Sequence, residues 1–167
     1  MAPSERFSQR RIGLTGGIAS GKSSLGHWLA QQGLPVLDAD QFAREALEPG
    51  RNATNTVLQR YGSKVQAEGA ATIDRAALGR IVFQNPAERL WLEQLIHPIV
   101  RDRFDQGLTH HAETPAIVLM IPLLFEAGLE SLCSEIWLVD CDESQQLERL
   151  IARDGLSPTA AQARIAT

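Results

Sequence analysis

Eight consecutive residues near the start of the chain restrict its fold more than any other feature of the sequence. Gly16-Gly17-Ile18-Ala19-Ser20-Gly21-Lys22-Ser23 shows a glycine, four intervening residues and then Gly-Lys-Ser. Glycines at these places let backbone N–H groups converge on phosphate oxygens, and a following helix N-terminus adds a partial positive charge. A Gly-rich turn without a ligand is the alternative, but the apolar strand before the segment and the amphipathic helix after it favour a phosphate-binding P-loop.

The side chains at the end of this P-loop, which we take as residues 16–24 with Ser24 as its last member, indicate what it binds. In this pattern Lys22 reaches the β- and γ-phosphates of a nucleoside triphosphate, and the Ser23 hydroxyl is a ligand of magnesium. The loop therefore predicts that the chain binds a nucleoside triphosphate together with Mg²⁺.

The elements around the loop predict the fold class. Short apolar stretches at residues 12–15, 35–37, 116–121 and 136–139 are typical of strands. The order strand, loop, helix, strand predicts an α/β protein with a parallel sheet and right-handed crossovers. Between the second and third strands, helical patterns occur at residues 41–47, 53–61, 75–83 and from 86 towards 110. Such an insertion is where an α/β protein would place a substrate-binding subdomain, although helices that merely enlarge the core are the alternative.

A pair of carboxylates follows the second predicted strand directly, in Asp38-Ala39-Asp40. One of them can hold magnesium through water while the other accepts a proton from an attacking hydroxyl group. Aspartate pairs also occur as solvated turn residues, so the spacing alone is a modest signal. Beside a P-loop, however, the pair is typical of a small-molecule kinase. The motifs of a GTPase switch are absent, and Asp140 is the one candidate for the acidic strand end of a motor-type ATPase.

Two arginines and a histidine are further candidates. Arg149 and Arg153 lie four residues apart on one face of a predicted helix, where mobile arginines can stabilise a transferring phosphoryl group. Cations in the last turn of a helix are also favoured by its dipole, which is the alternative explanation. His97 precedes a proline in the helical region and, from the pattern alone, is more typical of a structural hydrogen-bonding residue.

These motifs, taken in order, resemble one known family. Its further matches are Ala43-Arg44, Pro49-Gly50, Asp74-Arg75 with Leu78, Val82-Phe83, His97-Pro98, Pro122-Leu123-Leu124-Phe125-Glu126 and the stretch from Arg149 to Asp154. Together with the P-loop and Asp-Ala-Asp, they resemble dephospho-coenzyme A kinase over nearly the whole chain.

The resemblance implies a three-layer α/β/α P-loop kinase fold in a single domain over residues 1–167. Its core would lie at about 10–40 and 115–145, a helical acceptor-binding insertion at about 41–114 and a lid at about 146–167. The implied reaction transfers the γ-phosphoryl group of ATP, with Mg²⁺, to the ribose 3′-hydroxyl of dephospho-coenzyme A.

The resemblance also distributes roles among the candidate residues. Asp40 becomes the group that accepts the hydroxyl proton and Asp38 the group on the magnesium side, although these two roles could be exchanged. Arg44 and His97 become acceptor-side residues, and Arg149 and Arg153 become lid residues.

Two departures from the family pattern stand out. Ala19 replaces a glycine inside the loop, which we expect to be tolerated if the position has a negative φ. Family members usually continue for some thirty or more residues beyond Thr167, through a last strand and a last helix, so we expect these segments of the fold to be missing from this chain.

The amino-acid composition argues against nucleic acids and membranes as partners of this chain. With 16 Lys and Arg against 20 Asp and Glu, the formal net charge is -4, which argues against a nucleic-acid surface. No apolar run approaches the length of a membrane span, and the two cysteines form no disulfide pattern, so we expect a cytoplasmic protein without a membrane partner. The sequence does not determine the oligomeric state, for which we favour a monomer. Two other functions remain open: a kinase of another hydroxylated metabolite, and a nucleotide-binding module without catalysis.

Overall fold

A computed structural model of the chain describes residues 8–68 and 71–166. Its strands are β1 (Arg10–Gly16), β2 (Val36–Asp38), β3 (Ala116–Met120) and β4 (Glu135–Val139). Its helices are α1 (Lys22–Gln31), α2 (Ala39–Ala46), α3 (Asn52–Tyr61), α4 (Arg75–Gln84), α5 (Pro86–His110), α6 (Glu143–Asp154) and α7 (Pro158–Ile165). The described residues up to Ala39 and those from Gly107 onwards form one compact unit, and Asp40–Gln106 forms the second.

The first unit contains a parallel sheet, as predicted. Its four strands lie in the order β2-β3-β1-β4, and every neighbouring pair is parallel. Ile12 on β1 pairs with Val118 on β3 and with Glu135 on β4. The two interior strands, β1 and β3, are also the most deeply buried, because a parallel strand covered on both faces must be apolar throughout.

Helices cover both faces of this sheet. On one face, Ile12, Leu14, Val118 and Met120 form a buried cluster with Leu29 of α1. The opposite face carries Leu37 on β2, since alternate side chains of a strand point to opposite sides. Leu37 lies against the end of α5, where a Cβ on Gly107 would come within 2.6 Å of its Cδ1 atom. The resulting α/β/α layering agrees with the predicted fold class.

In the second unit, the described residues form helices joined by turns, with one isolated bridge between Gln66 and Ile73. Its core centres on Val57, Val65 and Leu78, which are almost fully buried. The long helix α5 begins at Pro86 and ends at His110, as the sequence pattern predicted, and it continues through Pro98.

The other helices of this unit agree with the sequence pattern to within two residues at each end, and α2 is the one that departs most. It begins at Ala39, directly after β2, whereas the pattern predicted a start at residue 41. Within the part of the chain that the structure describes, no helix is both long enough and apolar enough to cross a membrane.

Candidate active site

The P-loop joins β1 to α1 and leaves the start of that helix without a side-chain cap. Gly21 occupies the capping position with a left-handed backbone, φ 103, and the first turn of α1 contains no acidic residue. The N–H groups in the first turn of a helix have no partner within the helix, and they carry the positive end of its dipole. This local geometry therefore suits an anion such as a phosphate group.

Glycine is required at position 16 because of a close contact with the neighbouring strand, which the P-loop motif does not predict. A Cβ at this position would lie 2.3 Å from the backbone carbonyl oxygen of Val139, the last residue of β4. Real Cβ atoms do not approach a backbone oxygen so closely, so the neighbouring strand excludes any larger residue where β1 enters the loop.

Ser20 is the buried polar residue of the loop. Only 5% of its surface is exposed, and its Oγ atom is buried without a hydrogen-bond partner. A buried hydroxyl group that makes no hydrogen bond costs free energy, on the order of 1–3 kcal/mol. Such an atom fits a loop whose structure is completed by a polar ligand.

Ala19 has a left-handed backbone conformation, φ 56, and is the one residue other than glycine with a positive φ among those described. We expected this alanine to be tolerated if its φ were negative, and the structure shows that this condition is not met. The left-handed region brings Cβ too close to the neighbouring carbonyl oxygen, at a cost of about 1–2 kcal/mol. Strain of this kind persists only where surrounding contacts hold the backbone.

Two side chains of α6 supply such contacts. Gln146 Nε2 donates a hydrogen bond to the Ile18 carbonyl oxygen at 2.9 Å. Arg149 Nη1 donates to the carbonyl oxygens of Ala19 and Ser20, each at 3.1 Å. Three consecutive carbonyl groups of the P-loop are therefore bound from one helix.

The second predicted lid arginine has different partners. Arg153 forms a two-point ion pair with Asp154, Nε to Oδ1 at 2.7 Å and Nη2 to Oδ2 at 3.0 Å, and Arg164 approaches the same carboxylate at 3.2 Å. This ion pair raises the pKa of the Arg153 guanidinium and lowers the pKa of Asp154. Of the two arginines, the structure brings Arg149 to the P-loop and leaves Arg153 within a salt-bridge cluster at the end of α6.

The Asp-Ala-Asp segment spans a change from strand to helix. Asp38 is the half-buried last residue of β2, and Asp40 lies exposed in the first turn of α2. Both aspartates were expected at the strand end itself, but α2 begins immediately at Ala39. An acidic residue in the first turn of a helix is favoured by the helix dipole, so Asp40 is compatible with a helix that starts at this point.

The donors expected to hold magnesium are chemically suitable for that ion. The Ser23 hydroxyl and the Asp38 carboxylate are hard oxygen ligands, which Mg²⁺ prefers, and both belong to the first unit. Among the described residues, no three His, Cys, Asp or Glu side chains are grouped closely enough to hold a metal ion by themselves. Mg²⁺ in kinase sites is typically bound by one or two carboxylates together with substrate phosphates, so this donor set fits it.

A groove of about 420 Å³ runs between helices of the second unit. The two helices that form most of its walls contribute residues at the same helical spacing of i, i+3, i+4 and i+7, which places each set on one face. The lining residues are Asp40, Ala43, Arg44 and Leu47 from α2 and the turn after it, Arg75, Leu78, Gly79 and Val82 from α4, and Leu92 from α5.

The groove has a charged part, formed by Asp40, Arg44 and Arg75, and an apolar part formed by leucine and valine side chains. Arg75 Nη2 donates to the Arg44 carbonyl oxygen at 3.0 Å, which ties α4 to α2. On the opposite face of α2, Phe42 packs edge-on against Phe104 of α5, with ring centroids 5.3 Å apart. This packing turns Asp40 and Arg44 towards the groove.

Sequence reasoning found some of these residues and missed others. Asp40 and Arg44 share the groove, whereas His97 is exposed on α5 and is not part of the groove lining. Arg75 and Gln146 were not predicted as site residues. For Arg75 a signal exists, because the spacing from Arg75 to Val82 on α4 repeats the spacing of the site residues on α2.

The sequence was compared with protein families and with curated proteins, and both comparisons found dephospho-CoA kinases. The sequence pattern of the dephospho-CoA kinase family matches residues 10–167. A dephospho-CoA kinase of Synechococcus sp. (strain CC9605) is 84% identical over 99% of this chain and 80% of its own length. Another, from Parasynechococcus marenigrum (strain WH8102), is 61% identical over 94% of this chain and 78% of its own.

Two solved structures resemble the chain at lower sequence identity. The crystal structure of TT1252 from Thermus thermophilus has a TM-score of 0.80 and 36% identity over 93% of this chain and 78% of that one. A dephospho-CoA kinase from Campylobacter jejuni has a TM-score of 0.66 and 29% identity over 93% of this chain and 78% of that one. With a P-loop between β1 and α1, a parallel sheet and a helical unit that carries a groove, the chain belongs to the dephospho-CoA kinase family of enzymes.

Proposed function

We propose that this chain transfers the γ-phosphoryl group of ATP to the ribose 3′-hydroxyl group of dephospho-coenzyme A, giving coenzyme A and ADP. One observation carries the proposal beyond family membership. A carboxylate, Asp40, lines the same groove as two guanidinium groups, Arg44 and Arg75, and a wall of leucine and valine side chains. A phosphorylated acceptor with an extended, largely uncharged arm suits this combination.

The P-loop is the proposed site of the donor. The uncapped N-terminus of α1 and the backbone of residues 16–24 would hold the phosphates of ATP, and Lys22 would neutralise charge on the β- and γ-phosphates. Arg149 would stabilise the equatorial oxygens of the transferring group. Arg153 is the second lid candidate, and its use would require it to leave Asp154.

Ser23 and Asp38 are the proposed ligands of magnesium. When bound, Mg²⁺ would neutralise negative charge on the β- and γ-phosphate oxygens of ATP. The contribution of the chain is to supply two oxygen donors from elements of the same unit, the start of α1 and the end of β2.

The groove of the helical unit is the proposed site of the acceptor. Dephospho-coenzyme A joins an adenosine to a pantetheine arm through a diphosphate. Guanidinium groups bind diphosphate oxygens with paired hydrogen bonds, so Arg44 and Arg75 would hold this part of the molecule. The apolar wall, formed by Leu47, Leu78, Val82 and Leu92, would contact the pantetheine arm. His97 remains a candidate acceptor-side residue.

Asp40 is the proposed proton acceptor. As the 3′-hydroxyl oxygen attacks the γ-phosphorus, its proton would pass to the Asp40 carboxylate while the bond to the β-phosphate oxygen breaks and ADP leaves. We place Asp40 in this role because it lines the groove, whereas Asp38 belongs to the unit that contains the P-loop. We also propose that the enzyme works in the cytoplasm, with reduced cysteines and without a nucleic-acid partner.

Release of ADP in the presence of different acceptors tests this function. We expect ADP to form when ATP, Mg²⁺ and dephospho-coenzyme A are all present, and hardly at all when any one is omitted. Adenosine, pantothenate and gluconate serve as competing hydroxylated acceptors. Equal turnover of one of these would favour a kinase of another metabolite, and ATP binding without turnover of any acceptor would favour a binding module.

A further inference from the structure

The hydrogen bond from Gln146 to the P-loop binds the peptide group that directly precedes Ala19, the residue with the left-handed backbone. The torsion φ of Ala19 relates its Cα atom to the peptide plane that contains the Ile18 carbonyl, and ψ relates it to the plane that contains the Ala19 carbonyl. Gln146 binds the first of these carbonyl groups and Arg149 binds the second. The two side chains of α6 therefore hold both peptide planes on either side of Ala19.

Those planes need to be held, because Ala19 has a left-handed backbone, φ 56. An alanine without outside contacts strongly prefers negative φ. In a trans peptide the C=O and N–H bonds point in opposite directions, so a carbonyl group held towards α6 directs the next N–H group away from α6. The hydrogen bond from Gln146 thus fixes the direction of the Ala19 N–H group.

Neighbouring residues show that the chain makes room for this contact. A Cβ on Gly17 would lie 2.9 Å from Gln146 Nε2, so glycine leaves the space that the amide group occupies. Gln146 is half-buried, whereas Gln145, the preceding residue of the same helix, is exposed.

We propose that Gln146 is a positioning residue for the nucleotide: it holds the Ile18–Ala19 peptide plane so that the loop amides are preset for the phosphates of ATP. The inference rests on the proposed function, because it concerns the same loop and the same donor. Gln146 acts through the backbone of the loop and need not touch the nucleotide.

The test uses two readouts, of which one needs no nucleotide. We compare Gln146→Leu, which removes the donor and keeps a side chain of similar size, with the matched control Gln145→Leu. In the nucleotide-free protein, NMR order parameters for residues 17–20 should fall in Gln146→Leu, from values near 0.85 towards those below about 0.6 that mark a flexible backbone. They should be unchanged in the control.

The second readout is the affinity for ATP. Gln146→Leu should raise the Kd of Mg-ATP by about threefold to tenfold, the effect of losing one side-chain hydrogen bond, with the KM for the acceptor unchanged. In an Ala19→Gly background the effect should shrink to less than about twofold, because glycine adopts this φ without the contact.

Three results would overturn the inference. These are a Gln146→Leu protein that matches Gln145→Leu in both readouts, a loop that loosens without any change in ATP affinity, and an equal loss of affinity with alanine or glycine at position 19. If the unmodified chain does not bind Mg-ATP, the proposed function fails, while the order parameters still decide whether Gln146 holds the loop.

Discussion

The torsion φ of Ala19 is a backbone angle that the sequence alone does not predict. The loop glycines and Lys22 follow from the motif, since phosphate binding needs small residues and a cation at those places. The φ of Ala19 does not, because it depends on hydrogen bonds from a helix more than a hundred residues away in the sequence. The close approach of the Val139 carbonyl oxygen to Gly16 escapes prediction for the same reason.

Replacing Ala19 with glycine should stabilise the protein. Glycine adopts φ 56 without strain, so we expect Ala19→Gly to raise the free energy of unfolding by about 1 kcal/mol, as measured by thermal or urea denaturation. The control is Ala152→Gly, at an exposed position within α6, which should lower it by about 0.5–1 kcal/mol. Destabilisation by both substitutions would show that Ala19 is not strained.

The two cysteines should differ in reactivity. Burial raises the pKa of the Cys133 thiol to about 11, so it stays protonated well into alkaline solution, and only 7% of the residue is exposed. Cys141 is half-buried beside the P-loop, with its Sγ atom 3.9 Å from the Ala19 carbonyl oxygen.

Because alkylating reagents attack the accessible thiolate, iodoacetamide at about pH 8 should modify Cys141 well before Cys133. Peptide mass spectrometry at successive times measures the two rates. Modification of Cys133 at the same rate would contradict the burial that the structure shows.

The carboxylate at Asp40 should affect turnover more than binding. Asp40→Asn keeps the size of the side chain and removes the proton acceptor, so kcat should fall by about 10²–10⁴-fold, with the Kd of Mg-ATP within about twofold. Asp38→Asn is the matched comparison and should instead change the dependence on magnesium concentration. If the two variants exchange these effects, the roles of Asp38 and Asp40 are the reverse of those proposed.

At the scale of elements, sequence patterns predict which helices exist but not which of their faces meet. The helical pattern from Pro86 towards His110 predicts α5, and the structure gives the helix these bounds. The groove between α2 and α4 does not follow, because either helix could have packed through another side. Packing of Phe42 against Phe104 decides this for α2, and such a long-range contact leaves no local signal.

Filling the groove should weaken binding of the acceptor. A Cβ at Gly79 would meet nothing within 4 Å, so a larger residue fits the fold but projects into the groove. We expect Gly79→Leu to raise the KM for dephospho-coenzyme A by about tenfold or more, with the KM for ATP unchanged, because the added side chain displaces part of the pantetheine arm.

The control is Ala76→Leu, at an exposed position of α4 outside the groove lining, which should leave both KM values unchanged. Thermal denaturation of both variants checks that they are folded. Gly79→Leu should not destabilise the helix, because leucine is a better helix former than glycine. An unaltered KM for dephospho-coenzyme A in Gly79→Leu would place the acceptor elsewhere.

At the scale of the whole molecule, the fold class was the most predictable property. A P-loop after a short strand, followed by further buried strands and helices, restricts the topology to a parallel sheet, and the order β2-β3-β1-β4 agrees. The identity of the acceptor cannot be derived from these elements, since the same fold serves many kinases. It rests on the ordered family motifs and on the charged and apolar lining of the groove.

The position of the transferred phosphoryl group tests this account most directly. The chain is incubated with ATP, Mg²⁺ and dephospho-coenzyme A, and the nucleotide product is examined by mass spectrometry and phosphorus NMR. We predict a product that has gained one phosphoryl group as a monoester on the ribose 3′-oxygen, formed in equal amount to ADP. ADP accompanied only by inorganic phosphate, or a phosphoryl group on another hydroxyl, would contradict the proposed reaction.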